Sequence, residues 1–427
     1  MSSPQVKVEA HQNEYLPAEG RTVDAVITVA TSGIQAGPVK DRGDVAEIIM
    51  IDVSTSMAGE NLRAAKAAAA GAIDALRDGV AFGIVAGNDH AWALYPKSGS
   101  LAVASVRTRW AAQAAVKTLS SSGGTAIGTW LSLANRMFER RGAAINHGIL
   151  LTDGANGESA DQFNQVLHEC TGRFVCDSRG VGSGWVARDL IKIAETLLGT
   201  ASGIQDPRNL KAEFVAMTEA AMGKTMAEVM LRVWTPTGAR IQFLKQVHPE
   251  ITDLTNRRTA KSERIGEYPI GAWGAETREY HLRVDVEPNP VGAEMLAARV
   301  SVVHGDDALA QCLVRAVWTD DLAASTTMNR QVAHYTNETE MAEAIQAGIS
   351  ARAAGDEPEA TAQLGLAVRL AHEAGREDTA KMLAKVVDVV DERTGTVRLR
   401  RQAANIDAEM AAVGSRKTQR VRPDQPR

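Results

Sequence analysis

The chain has 427 residues, 44% of them apolar and 23% charged, with a formal net charge of −5. That length exceeds one ordinary hydrophobic core and predicts two or three domains, while the slight acidic excess gives no support to a nucleic-acid-binding body. The opening stretch MSSPQVKVEAHQNEY lacks a basic flank leading into an apolar core, no run is long enough to span a bilayer, and cysteines are sparse.

Those features predict a cytoplasmic protein that neither inserts in a membrane nor binds nucleic acid. The three cysteines, Cys170, Cys176 and Cys312, are an odd set and read as buried free thiols, although Cys170 and Cys176 are near enough in sequence to pair under oxidation. Strand-like segments at 5–10 and 22–31 fall in an N-terminal region, 1–40. From residue 45, short apolar strands alternate with helical stretches. The strands are 45–51 (VAEIIMI), 80–86, 91–95, 147–152 (HGILLT), 173–181 and 201–205. Between and after them come an Ala-rich helix at 62–76 and further helices at 127–140, 161–170, 189–198 and 209–222. This alternation predicts an α/β domain over 41–225, with a doubly wound, mostly parallel, Rossmann-like sheet. Ligands of such sheets bind outside the carboxyl ends of strands, where strand order reverses.

From 226 to 336 the pattern changes to alternating strands at 228–234, 240–245, 279–286, 296–303 and 310–318. Turns such as Thr235-Pro236-Thr237-Gly238 and Gly305-Asp306-Asp307 separate them. This predicts an antiparallel β-sandwich that the strands of 1–40 join, so that the α/β domain is inserted into it. Residues 337–414 read as helices at 339–354, 357–374, 376–391 and 397–412, either a short bundle or hairpins of the tetratricopeptide type. The last stretch, 415–427 (SRKTQRVRPDQPR), is polar and basic and reads as disordered.

Five residues carry the chemistry. Asp52, Ser54 and Ser56 close the first apolar strand of the α/β region, Thr125 follows the Gly123-Gly124 turn, and Asp153 follows the strand at 147–152. Three hydroxyls and two carboxylates at strand ends suit a hard divalent cation, which prefers oxygen ligands. Taken singly, Ser54, Ser56 and Thr125 also suit helix caps and turns, Ser56 standing just ahead of a helix. Asn156 and Gly154, in the loop after Asp153, are placed to shape the rim or merely to fill it.

The set as a whole resembles a von Willebrand factor A domain with a metal-ion-dependent adhesion site. Its Asp-x-Ser-x-Ser motif stands here as Asp52, Ser54 and Ser56, its separate Thr as Thr125 and its separate Asp as Asp153. The resemblance implies that the serine hydroxyls hold Mg²⁺ (Mn²⁺ and Ca²⁺ being alternatives), that Thr125 joins when a ligand binds, and that the carboxylates act largely through water. Weakly donating hydroxyls leave a cation electrophilic, so the implied partner is a protein presenting Asp or Glu. Stretches such as 124–130, 147–154 and 315–321 make most of the chain similar to actinobacterial cytoplasmic proteins that carry such a domain. That likeness implies a non-enzymatic adaptor or scaffold in Ser/Thr phospho-signalling, with kinases, phosphatases or phosphothreonine-binding proteins as partners. The alternatives are a non-catalytic subunit of an ATPase or chelatase-type complex and a structural module that the cation only stabilises. Thr418, in the basic tail, reads as either a phosphate acceptor or an ordinary solvated residue. Gly180-Val-Gly-Ser-Gly184 has GxGxG rather than dinucleotide spacing and reads as a tight turn, and no phosphate loop, nucleophile elbow or zinc-protease helix is present.

Overall fold

The structure, a computed structural model, describes residues 5–32, 45–400 and 404–421. These form two compact units: one from 5–32, 225–400 and 415–421, the other from 45–224 and 404–414. The first begins with β1 (Gln5–Gln12), β2 (Tyr15–Pro17) and β3 (Thr22–Ser32).

The second unit follows. It comprises β4 (Val45–Asp52), α1 (Glu60–Ala75), β5 (Ala81–Gly87), β6 (Ala91–Tyr95), β7 (Ala102–Val103), α2 (Val106–Lys117) and α3 (Ile127–Arg141). It continues with β8 (Ile145–Thr152), α4 (Ala160–Cys170), β9 (Val175–Val181), α5 (Ala187–Thr196), β10 (Ala201–Ile204) and α6 (Leu210–Met222). Its sheet runs β10-β9-β8-β4-β5-β6, with β7 on β5. Pairings from β10 to β5 are parallel, and β6 and β7 add antiparallel edges. A central parallel strand is covered on both faces, which is why β4 is nearly continuous in apolar residues. Ile49 and Ile51 pack toward Ala65, Ala72 and Phe214 of α1 and α6, whereas Ile48 and Met50 pack toward Trp130, Phe138 and Leu167 of α3 and α4. From β4 the chain turns to β5 on one side and reaches β8 on the other, so strand order reverses there. Asp52 and Asp153 stand at that point.

The helix α2 was not legible from periodicity. Only Ala112 and Val116 of it are buried, so its apolar stripe is thin, and its start is marked instead by a Ser105/Thr108 capping box.

The first unit resumes with β11 (Val229–Trp234), β12 (Arg240–His248), β13 (Thr252–Asp253), β14 (Thr259–Ser262), β15 (Ile265–Pro269), β16 (Thr277–Asp285), β17 (Glu294–His304) and β18 (Asp307–Thr319). They form two sheets, β1-β3-β16-β12-β13 and β14-β15-β11-β17-β18-β2. Strands from before the α/β unit and after it thus share hydrogen-bonded ladders. Then come α7 (Leu322–Thr326), α8 (Arg330–Ala354), α9 (Glu357–Glu373), α10 (Glu377–Leu383) and a hairpin of β19 (Val387–Asp391) and β20 (Thr396–Leu399). The last helix, α11 (Asn405–Gly414), belongs to the second unit.

Four expectations for the C-terminal part need correction. The helix expected at 376–391 stops at Leu383, because the β-branched run Val386, Val387, Val389, Val390 favours a strand. That hairpin also ends any tetratricopeptide-like series and occupies the start of the helix expected at 397–412. Nor are residues 415–421 disordered. Ile251 N–H donates to Arg416 O at 2.9 Å and Thr418 N–H to Pro249 O at 3.1 Å, while the Arg416 guanidinium serves Ile251 O. Arg416 is 1% exposed and Thr418 is buried, its hydroxyl donating to Val247 O at 2.6 Å. A polar segment becomes ordered here because its backbone and side chains satisfy carbonyls of the β12–β13 turn. The remainder of the basic tail, 422–427, lies outside the described residues. The three cysteines are free and buried, and among the described residues no helix is long and apolar enough to cross a membrane.

Candidate metal centre

The site is assembled where β4 and β8 end side by side. Ile51 pairs with Leu151 in register, which brings the next residues, Asp52 and Thr152, together. Asp52 is fully buried: its Oδ1 accepts the Ser54 N–H at 2.7 Å and its Oδ2 the Thr152 hydroxyl at 2.6 Å. Ser54 Oγ lies 3.0 Å from Ser56 Oγ, and Ser56 Oγ donates to Asp153 Oδ1 at 2.6 Å. Asn61 Nδ2 donates to the other oxygen, Oδ2, at 2.9 Å. Asp52, Ser54, Ser56 and Asp153 thus form one chain of contacts. Thr125 enters from the far side. A Cβ at Gly154 would lie 3.0 Å from Thr125 Oγ1 and 3.5 Å from Ser56 Oγ, so both hydroxyls face the same narrow gap.

The loops are held by main-chain contacts. Val53 N–H donates to Gly87 O at 2.8 Å, Ser122 N–H to Val53 O at 2.7 Å and Thr55 N–H to Gly123 O at 2.9 Å, tying the serine loop to the turn that carries Thr125. Asp89 accepts the Gly124 N–H at 2.9 Å. Asn156 and Glu158, from the loop after Asp153, accept the Ile127 and Gly128 N–H groups at the start of α3, at 3.1 and 2.6 Å. Asn156 therefore shapes the site by fixing the helix that follows Thr125. Ser54 and Ser56 make no helix-capping hydrogen bond in the short turn after β4, which leaves their hydroxyls to the site.

Charge shows what these residues would accept. Asp52 and Asp153 are 0% and 3% exposed, and among the described residues neither pairs with a lysine or arginine. Burial pushes the Asp52 carboxyl above its ordinary range, hydrogen bonds from Thr152 and Ser54 oppose this, and the Asp153 charge adds to the rise. Two buried carboxylates with no cationic neighbour among the described residues, surrounded by hydroxyls, fit a hard divalent cation. Among the described residues no three His, Cys, Asp or Glu side chains gather to hold a metal, so the fit depends on the hydroxyls. Two contributors were missed from sequence. The signal for Thr152 was its place beside Asp153 on a strand neighbouring Asp52; Asn61, in the first turn of α1, carried none.

Comparison with known proteins gives a consistent result. The von Willebrand factor type A domain family matches residues 46–202, and the von Willebrand factor type A C-terminal domain matches 369–411. A solved von Willebrand factor type A structure from Catenulispora acidiphila is 44% identical, covers 98% of each chain and superposes with a TM-score of 0.91. The ArnB paralog VWA2 from Sulfolobus acidocaldarius shares the fold, with a TM-score of 0.58 at 14% identity over 97% of this chain and 98% of that one. An uncharacterized protein of Synechocystis is 27% identical over 236 residues, 51% of this chain and 53% of its own, so the chain spans about half the length of that curated relative.

Proposed function

Because the chain belongs to the von Willebrand factor type A family, whose domains generally mediate protein–protein interaction, we propose that it is a non-enzymatic adaptor that captures an acidic side chain of a partner through a divalent cation. The observation that carries this reading is the pair of buried carboxylates, Asp52 and Asp153, with no cationic partner among the described residues and with the hydroxyls of Ser54, Ser56 and Thr125 gathered beside them.

In this reading Ser54, Ser56 and Thr125 hold the cation, Mg²⁺ being the first choice by its hard-oxygen preference. Asp52 and Asp153 supply charge from behind, Asp52 held by Thr152 and Asp153 by Asn61. When bound, the cation supplies an electrophilic coordination position for an outside oxygen. Neutral hydroxyls quench its charge less than carboxylates would, so a partner Asp or Glu is attracted. Phospho-signalling partners, namely kinases, phosphatases or phosphothreonine-binding proteins, belong to the proposal through family likeness. Thr418 has no part in it, since its hydroxyl is buried and donating to Val247 O.

The test is affinity capture from native lysate with wild type and Asp52→Ala, each with Mg²⁺ or EDTA, followed by mass spectrometry. The expected outcome is a specific partner retained only by wild type with Mg²⁺, while both proteins keep their circular dichroism spectra. Equal capture under all four conditions would refute the reading.

A further inference from the structure

The helix α5 begins after Val186, whose side chain offers no cap. The cap comes instead from the far end of the chain: Glu409 Oε2, on α11, accepts the Ala187 N–H at 2.6 Å across 222 residues of sequence. The neighbouring Met410 is also engaged. A Cβ at Gly203 of β10 would lie 2.3 Å from both Met410 Sδ and the Trp185 ring, so these side chains share the space that this glycine leaves open. Trp185 is 2% exposed and its indole N–H donates to Gly182 O at 3.2 Å. Glu409 and Met410 therefore grip the segment 182–187 near its end and at its aromatic anchor.

That segment backs directly onto the candidate ion site. A Cβ at Gly184 would lie 2.5 Å from the Asp153 carbonyl oxygen, so the strand-end loop carrying Asp153 rests against it without slack. A Cβ at Gly182 would lie 2.8 Å from Asn61 Nδ2, the atom that donates to Asp153 Oδ2. Moving 182–187 would therefore shift both the backbone of Asp153 and the amide that orients its carboxylate. We infer that Glu409 is a positioning residue for the ion site: by holding the start of α5, α11 sets the geometry of Asp153 and hence the affinity for a divalent cation. The inference rests on the ion-site reading above. Groups that orient coordinating residues from behind typically change metal affinity by about 10- to 100-fold when removed. Coupling is reciprocal, so a bound cation should in turn hold α11 more firmly.

The test uses the full chain. Mn²⁺ affinity is measured by electron paramagnetic resonance for wild type, Glu409→Gln, Glu409→Ala and Asp52→Ala, together with amide hydrogen exchange over 182–187 and α11, with and without Mg²⁺. The expected result is about tenfold weaker binding in Glu409→Ala, with Glu409→Gln between it and wild type because its amide oxygen still accepts. Mg²⁺ should slow exchange in α11 of wild type but not of Asp52→Ala. A merely structural cap would lower the melting temperature and leave Mn²⁺ affinity and the α11 response unchanged, which would overturn this inference alone. Should wild type bind no better than Asp52→Ala, the ion-site reading fails and this inference falls with it. If Glu409→Ala does not fold, Met410→Ala, which trims the contact at Gly203 and leaves the Glu409 cap in place, takes its place with the same expected direction.

Discussion

Single residues at the carboxyl ends of the central strands would decide whether this sheet holds a cation, and most of the candidates were legible because they cluster in sequence. Asp52, at the end of β4, and Ser54 and Ser56, in the loop after it, are close in sequence, and Asp153 follows a strand of strong apolar character. Asn61 carried no signal and Thr152 only its place beside Asp153, because their work depends on partners about a hundred residues away: Thr152 serves Asp52 only once β8 is known to lie beside β4 in register. The two buried carboxylates give the first stability prediction. Anything that binds only the folded state stabilises it by about 2.7 kcal/mol at a hundred times its Kd. For a unit of this size that corresponds to a melting temperature higher by roughly 5–10 °C. Mg²⁺ should produce such a rise in wild type and none in Asp52→Ala, as read by differential scanning fluorimetry against EDTA controls. An equal rise in both proteins would place the cation somewhere other than these five residues.

At the scale of elements, the helices and strands read most clearly were those with a strong period, and the misses have physical causes. The stripe of α2 is thin, β19 hides in a run that helical context made look continuous, and 415–421 looks solvated until its carbonyl partners are known. The central strands also carry a feature that apolar patterning obscures. Glu47 of β4 stands opposite His147 of β8 in register, and Asp177 follows on β9. His147 Nδ1 lies 2.9 Å from Glu47 and its Nε2 3.1 Å from Asp177, all three largely enclosed. Burial alone would strip the proton from the ring, but the Glu47 charge and hydrogen bonds to both carboxylates outweigh it and raise the pKa to about 10. Because the folded value lies above the unfolded value of 6.5, this contribution is complete below about pH 6.5 and is lost as pH rises through about 10. His147→Gln should therefore cost about 3–5 kcal/mol at pH 6, where it takes the charged partner from the buried Glu47 carboxylate, while Asp177 keeps its hydrogen bonds from Thr200. The gap from wild type should narrow steadily toward pH 10 in urea denaturation. A constant gap across that range would mean that the imidazole is neutral and that the triad is held by ordinary hydrogen bonds.

For the whole molecule, the main point is that neither compact unit is one continuous stretch of chain. The five-stranded sheet has β3 between β1 and β16, paired in register from Thr22 opposite Asp285 to Ala30 opposite Thr277. The early strands were visible from their alternation; what alternation cannot give is the order of strands, since any free edge offers the same backbone donors and acceptors. That order has a measurable consequence. Val23, Ala25, Val26, Ile27 and Val29 of β3 are all essentially buried, and burying one large aliphatic side chain contributes about 1.5–3 kcal/mol. Losing them removes on the order of 10 kcal/mol, comparable to the entire stability of a typical domain. Residues 225–421 expressed without 1–32 should therefore show strand content but no cooperative thermal transition, with β16 left as an open edge and prone to aggregate. Adding a peptide of residues 1–32 in trans should restore a sharp transition whose midpoint rises with peptide concentration, because the missing central strand is then supplied by mass action. A fragment 225–421 that melts cooperatively and ignores the peptide would show that β3 only lines a sheet that can close without it.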